Sequence, residues 1–440
     1  MEKAPVRRPS LLKTVRLILL AGLALWALVS LARLVQQALS PAGGNDLYTY
    51  WYAGHFLREG KDPFKSFIAG ELPTVPVHYL DRTVDSLDGI IFPGLVPAPA
   101  GTPAAFYLLA PLAFLSWNVA KLVWLLFNLA FLGLIPFLLI RLFAAHRWLD
   151  PLEFSGLACL LIGLTATRYA AASGQVTFPV LDLMLGAVVL AERRPWLAGI
   201  LLGLALSKYS LSIGILVLFT LLEPRPRLVL AALLIQLAGA VALVLHTGTG
   251  VLEFVGEYAQ MVSLHAGMEG IHLAGLLPRS GLDTWLGLGL TLAVGVPLAV
   301  WRWRFSRRPG WPLPALGRAV LAVLLSLWAL LVVYHRAYDA MVMIVFLGLI
   351  AYLAKRPEGW TLSKPVRTGL LAFGALAALL LLIPSGSVVR GFLPASLETL
   401  WGQAANLITT LLILGALVAS FFLLFKLRPG EAETTGDAAP

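Results

Sequence analysis

Charge is scarce in this chain. Asp, Glu, Lys and Arg together make up 13% of its 440 residues, against about 25% in a soluble domain. With 59% hydrophobic residues and a mean hydropathy of +0.84, this composition excludes a soluble globular protein. Cysteine is nearly absent: the single Cys159 lies in an apolar run, so no intrachain disulfide framework can form. There is no nucleotide-binding glycine motif, no G-x-S-x-G elbow and no H-E-x-x-H pair. His246, His265 and His272 show no zinc-ligand spacing and read as surface histidines. No internal repeat is visible.

What is present is apolar sequence in long runs. A helix needs roughly 20 apolar residues to cross the hydrocarbon core. Runs that meet or approach this are 11–35, 103–117, 118–142, 153–172, 176–191, 196–222, 228–246, 283–301, 312–334, 338–354, 366–383 and 401–425. The expectation is an all-α polytopic membrane protein of about 12 transmembrane segments, one transmembrane domain over 1–425, and a disordered cytoplasmic tail over 426–440. The run 11–35 follows Lys3, Arg7 and Arg8 and is too long for a cleavable signal, so it reads as a retained first span. The net charge of +10 is spread over short basic clusters between apolar runs, as in inner-leaflet loops. That distribution argues against nucleic acid as a partner and for membrane lipids. Arg225/Arg227, Arg302–Arg308, Lys355/Arg356/Lys364 and Lys426/Arg428 then face the cytoplasm. Residues 36–102 and 247–282 form the first and second outward loops. The N-terminal half leaves two solutions open. Simple alternation puts Arg141 and Arg193/Arg194 outside. The alternative makes 103–117 re-entrant and splits 196–222 at Lys208 into two half-helices.

The 36–102 loop is long enough to suggest function. Its start, 46–59, has helix-like spacing of Leu47, Trp51, Phe56 and Leu57, which would let it lie at the membrane interface with its aromatics at headgroup level. Asp46 opens that stretch, either as a functional carboxylate or as an N-cap. Charges inside spans are functional candidates by default. Lys208, in "LLGLALSKYSLSIGILV", wants an anion: a carboxylate such as Asp182, or a phosphate. "ASGQVTF", with Ser173, Gln175 and Thr177, is a polar break between apolar helices, and "YHRAYDAM" groups His335, Arg336, Tyr338 and Asp339 at a membrane edge.

"NDLYTYWYAGHFLREGKDPF" resembles the signature of integral-membrane glycosyltransferases of the GT-C fold. It is most similar to the polyprenol-phosphate-mannose-dependent family that includes the mycobacterial phosphatidylinositol mannoside mannosyltransferases. Three further stretches match in order: "PAAFYLLAPLAFLSWNVAKLVWLLFNL", "SGQVTFPVLDLMLGAVVLAERRPWLAGILLGLALSKYSL" and "YHRAYDAM". The resemblance covers roughly residues 15–350. One departure is that the Pro-rich 93–103 replaces the family's Tyr-Pro-Pro element. The resemblance implies inverting transfer of a hexose, mannose, from a polyprenyl-phosphate donor to a lipid or glycan hydroxyl on the outer face of the cell membrane. Asp46 would be the base. Lys208, with His335 or Arg336, would hold the lipid phosphate, and Gln175 belongs to the matching Gly-Gln segment. Tyr48, Trp51 and Tyr52 would support the donor or line the sugar pocket. No metal or other cofactor is implied, the donor being a co-substrate. This chemistry suits the residues: a phosphate leaving group needs charge stabilisation, and the incoming hydroxyl needs one general base. The rival classes are a GT-C transferase using another polyprenyl-phosphate sugar and a lipid transporter. Against the transporter, no pair of broken helices recurs in two halves.

Overall fold

The computed structural model describes residues 11–40, 43–71, 77–79, 82–84, 101–143, 148–266, 270–273, 282–306, 314–383 and 395–427. Asp81, Asp85, Asp88, nearly all of the Pro-rich 93–103 and the tail from 428 lie outside the described residues.

Helix α1 (Leu11–Leu39) leads to α2 (Asn45–Arg58) and α3 (Pro63–Ile68). Asp62 caps α3, its Oδ1 accepting from the Phe64 N–H at 2.8 Å, with Pro63 at the first helical position, where its missing N–H costs nothing. Strands β1 (Val77–Tyr79) and β2 (Arg82–Val84) form a small antiparallel ribbon, Val77 opposite Val84. Then come α4 (Pro103–Leu109), which continues as a 3-10 turn to Phe114, α5 (Trp117–Phe143), α6 (Pro151–Gly163), α7 (Thr165–Ala172), α8 (Thr177–Leu190), α9 (Pro195–Ala205) and α10 (Tyr209–Val217). Leu206–Lys208 is a 3-10 turn between α9 and α10. The chain finishes with α11 (Pro226–Thr247), α12 (Val251–Ala266), α13 (Leu282–Ser306), α14 (Ala315–Val332), a 3-10 turn at Ala337–Val342, α15 (Met343–Lys355), α16 (Lys364–Leu382) and α17 (Ala395–Phe425).

The all-α polytopic architecture is as the composition requires. Among the described residues nine stretches are long and apolar enough to cross a bilayer, ten if α6 and α7, bent by 57°, count as one. The expected twelve become nine because Pro103–Phe114 and Thr177–Leu190 are short and because the run 153–172 is broken into the bent α6 and α7. Pro195–Leu222 is long enough to count as one of the nine, but it does not run straight. Gly199 packs against Leu228 and Ala231, and Gly203 against Ala232 and Ile235, so α9 and α11 run parallel. Helix α10 between them must therefore return to the end where α9 began, with Lys208 at the apex. Glycines at 199 and 203 permit this close parallel approach, where a Cβ would strike the facing helix.

The hairpin settles which residues share an end. Arg318 bonds Glu223 (Nε to Oε2, 2.7 Å) and lies 3.5 Å from Glu192. Arg16 meets Asp150 at 2.9 Å, and Lys355 pairs with Glu153. Phe143 stacks on Tyr352. Arg141, Arg193/Arg194, Arg225 and Lys355/Arg356 therefore gather at one end of the bundle, and the conflict that simple alternation creates disappears. Leu39, Asn45, Ser173, Lys208 and His335 gather at the other. The positive-inside rule would put the basic end in the cytoplasm. In a Cys159→Ala background, cysteines at exposed Lys61 and exposed Glu358 are expected to react with an impermeant maleimide from opposite sides of intact cells and inverted vesicles. Labelling from one side would reject this orientation.

Helix α2 is present where its spacing placed it, but it is not laid on the membrane surface. Every residue from Leu47 to Leu57 is buried, because α4, its 3-10 extension and α3 cover it. The Trp51 indole donates to the Leu115 carbonyl at 3.1 Å, and Arg58 donates to the Ala113 carbonyl at 2.8 Å. His272, expected at the surface, is buried against Tyr334, whereas His246 is exposed.

Candidate active site

The site is assembled at the non-basic end from three turns. The first is the entry to α2. The Gly44 N–H donates to the Ala172 carbonyl and the Asp46 N–H to the Ser173 carbonyl, both at 2.8 Å. Gly44 has φ +80° and Gly174 φ +72°, the left-handed region that glycine adopts without penalty. A Cβ on Gly174 would also lie 2.7 Å from the Leu47 Cβ. The two turns are thus clamped together by backbone, which fixes where Asp46 points. Gly44 is the N-cap and makes no side-chain cap bond. The Asp46 carboxylate is therefore not a cap: it is half-buried, and its buried Oδ2 has no hydrogen-bond partner among the described residues.

The second turn, Ser173–Val176, and the third, Tyr334–Asp339, meet at Lys208. The Lys208 Nζ donates to Asp339 Oδ1 at 2.6 Å, Thr177 Oγ1 at 2.9 Å and Gln175 Oε1 at 3.0 Å, and lies 5.0 Å over the Tyr338 ring. The Thr177 hydroxyl donates to Asp339 Oδ1 at 2.9 Å. His335 Nδ1 is 2.9 Å from Asp339 Oδ2, and its Nε2 is 3.2 Å from the Ser210 carbonyl. Both nitrogens face acceptors, an arrangement an imidazolium satisfies with both N–H groups and a neutral ring with one. Lys208 is thus not a lone cation. Its carboxylate partner is Asp339, 131 residues away in sequence, and not Asp182. Asp182 is buried with neither oxygen partnered among the described residues.

The Asp46 charge acts on Tyr50, Tyr334, Arg336 and Tyr338, so the start of α2 lies near the third turn. Burial, and after it Asp46, pushes the Tyr50 phenol above its ordinary value, which keeps it a neutral hydrogen-bond donor. Burial disfavours the Arg336 cation, but Tyr338, Tyr334 and Asp46 outweigh it and raise its pKa. Arg336 Nε donates to the Tyr334 hydroxyl at 2.7 Å.

The structure thus brings together Asp46, Gln175, Lys208, His335 and Arg336. Of these, His335 is 0% exposed and spends its bonds on Asp339 and Ser210. Tyr48, Trp51 and Tyr52 stand on another face of α2. Tyr48 and Trp51 pack on Trp117, and Tyr52 on Phe56 and Phe67. The aromatic on the Asp46 face is Tyr50, one helical turn on, a relation the i,i+4 spacing carries. Tyr209 and Tyr258, whose phenols act on Tyr50, carry no sequence signal of belonging here. Among the described residues no cluster of His, Cys, Asp or Glu could hold a metal ion. Chemically, the site offers a carboxylate near a guanidinium and phenols, beside a lysine-centred network.

The model of glycosyltransferase family 87 aligns with residues 101–333, which takes in Gln175, Thr177 and Lys208, with Asp46 and the 335–339 turn beyond it. No curated protein and no solved structure matches the chain. The likeness to the mycobacterial phosphatidylinositol mannoside mannosyltransferases therefore rests on the quoted motifs alone.

Proposed function

Since the chain belongs to glycosyltransferase family 87, we propose that this membrane glycosyltransferase moves a hexose, mannose, from a polyprenyl-phosphate donor to a hydroxyl acceptor at the outer face, with inversion. The observation that carries the reading is the Asp46 carboxylate, which is not the helix cap, whose buried Oδ2 has no hydrogen-bond partner among the described residues, and whose charge acts on Arg336 and Tyr338. An Asp46 oxygen takes the proton of the acceptor hydroxyl. The hydroxyl oxygen bonds to the anomeric carbon from the side opposite the phosphate, and the carbon–oxygen bond to phosphate breaks with its electron pair leaving on the phosphate. Attack from the opposite side inverts the centre.

Arg336 supplies the cation nearest that developing charge. Lys208, answered by Asp339, supplies N–H geometry more than a free charge. Gln175 and Thr177 hold its ammonium in place. Tyr50 is the phenol best set to donate to the sugar, and Tyr48, Trp51 and Tyr52 support the donor from behind by fixing α2. The outer location is supported by the basic clusters lying at the opposite end.

The test is purified protein in liposomes with polyprenyl-phosphate donors carrying labelled mannose, glucose or arabinose, and a membrane lipid and glycan extract as acceptor pool. Label is expected to pass from the mannose donor, with polyprenyl phosphate released. Transfer only from another sugar would replace mannose. No transfer from any of the three would remove the lipid-phosphate donor.

A further inference from the structure

On the far side of the 335–342 turn lies an apolar cleft of about 100 Å³ between α7, α16 and α17. Tyr169, Ala337, Ala340, Ile383, Trp401 and Ile408 are among the residues lining it. Ala337 and Ala340 alternate along the turn with Tyr338 and Asp339, which face the active site. Ile383 and Ile408 are 43% and 44% exposed, so the cleft opens sideways to lipid.

At its flank, on α7, is Arg168. The guanidinium is folded to within 5.4 Å of the Tyr169 ring centroid, and the residue is 3% exposed. Its Nε and Nη2, and the neighbouring Tyr169 hydroxyl, are buried and make no hydrogen bond of good geometry among the described residues; Tyr169 is near enough to the guanidinium to support it, but brings it no anion. The other charged group acting on Arg168 is Arg33 of α1, a second cation. A buried guanidinium at membrane depth with no counter-charge is costly unless an anion completes it. Orphaned N–H and O–H donors beside an apolar cleft open to the bilayer are complementary to one kind of ligand: an anionic amphiphile.

We propose that Arg168 and Tyr169 bind the phosphate of an anionic glycerophospholipid of the outer leaflet, with an acyl chain in the cleft. The donor's own phosphate is the wrong occupant. It is one bond from the carbon attacked beside Asp46, whereas Arg168 folds on Tyr169, which lines the cleft on the other side of the 335–342 turn. The bound lipid backs the turn that presents Tyr338 and Asp339, so it braces the active site from behind.

Native mass spectrometry of detergent-purified protein, titrated with phosphatidylglycerol, phosphatidylcholine or farnesyl phosphate, tests this. Wild type is expected to retain phosphatidylglycerol over phosphatidylcholine. Arg168→Leu is expected to weaken phosphatidylglycerol binding at least about 30-fold, as truncating one partner of a buried charge pair does. Its lipid-free melting temperature should be equal to or above wild type, since an unpaired buried charge has been removed. Ile408→Trp, on the lipid-facing rim, should block the chain and lower the affinity for both phospholipids; it decides the matter if Arg168→Leu does not fold. Unchanged phosphatidylglycerol binding, or a fall in lipid-free melting temperature for Arg168→Leu, overturns the site. Displacement of phosphatidylglycerol by farnesyl phosphate would assign the cleft to the donor and overturn the phospholipid. No sugar transfer enters the readout, so failure of the Asp46 chemistry leaves this result standing, and the reverse.

Discussion

Asp46→Asn is expected to lower kcat by about 10²–10⁴-fold, the usual contribution of a positioned general base, with thermal stability unchanged to within about 0.5 kcal/mol. The amide keeps the carboxylate's size but cannot take the acceptor's proton. Stability should nearly hold because Gly44, not Asp46, is the N-cap, and the buried Oδ2 has no hydrogen-bond partner among the described residues to lose. The backbone clamp from Asp46 N–H to the Ser173 carbonyl is indifferent to the substitution. The measurement is single-turnover transfer on saturating donor, alongside a melt of the same preparation. A kcat within threefold of wild type ends the role of Asp46 as base, and a large fall in melting temperature would recast it as structural.

The second large effect concerns the pair at the apex of the α9–α10 hairpin. Lys208→Met leaves Asp339, 3% exposed, with only Thr177 and His335. Asp339→Asn leaves Lys208 with neutral acceptors only: Gln175, Thr177 and the new amide oxygen. Each single change is expected to cost about 3–5 kcal/mol, the usual penalty for breaking a buried pair by removing one partner. The double variant should lose less than the sum, with a coupling of about 0.5–3 kcal/mol, because no buried charge is stranded. Activity separates structure from function here. If the ammonium only fastens the 173–177 and 334–339 turns, the double variant recovers transfer along with stability. If Lys208 also serves the donor, stability returns while transfer stays depressed about 10²-fold or more, as when one preorganised donor to a developing charge is lost. Additive melting losses would reject the pairing itself.

The fold class was legible because a bilayer imposes a length: the apolar runs announce their helices, and the basic clusters between them announce an end. Asp46, Lys208 and the 335–339 turn were also legible, since each is polar where the neighbouring sequence is not. Arg168 carried the same signal, a charge inside the run 153–172, and belonged with Lys208 on that ground.

Other features lay outside what a linear pattern holds. The run 196–222 is apolar whether it crosses once or turns back at Lys208, and only the parallel packing of Gly199 and Gly203 on α11 decides for the hairpin. The partner of Lys208 had to be found among acids brought near by other helices, and Asp182, nearer in sequence, lost to Asp339 because the 335–339 turn folds over the apex. Helical period puts Asp46 and Tyr50 on one face and Tyr48, Trp51 and Tyr52 on another, but not which face meets the cavity; the packing of Tyr48 and Trp51 on Trp117 sets that phase. By itself the sequence determined what must be buried in lipid and which residues were out of place there. The tertiary structure alone decided which of those residues answer one another, because pairing depends on distances between helices that side-chain periodicity within one helix does not contain.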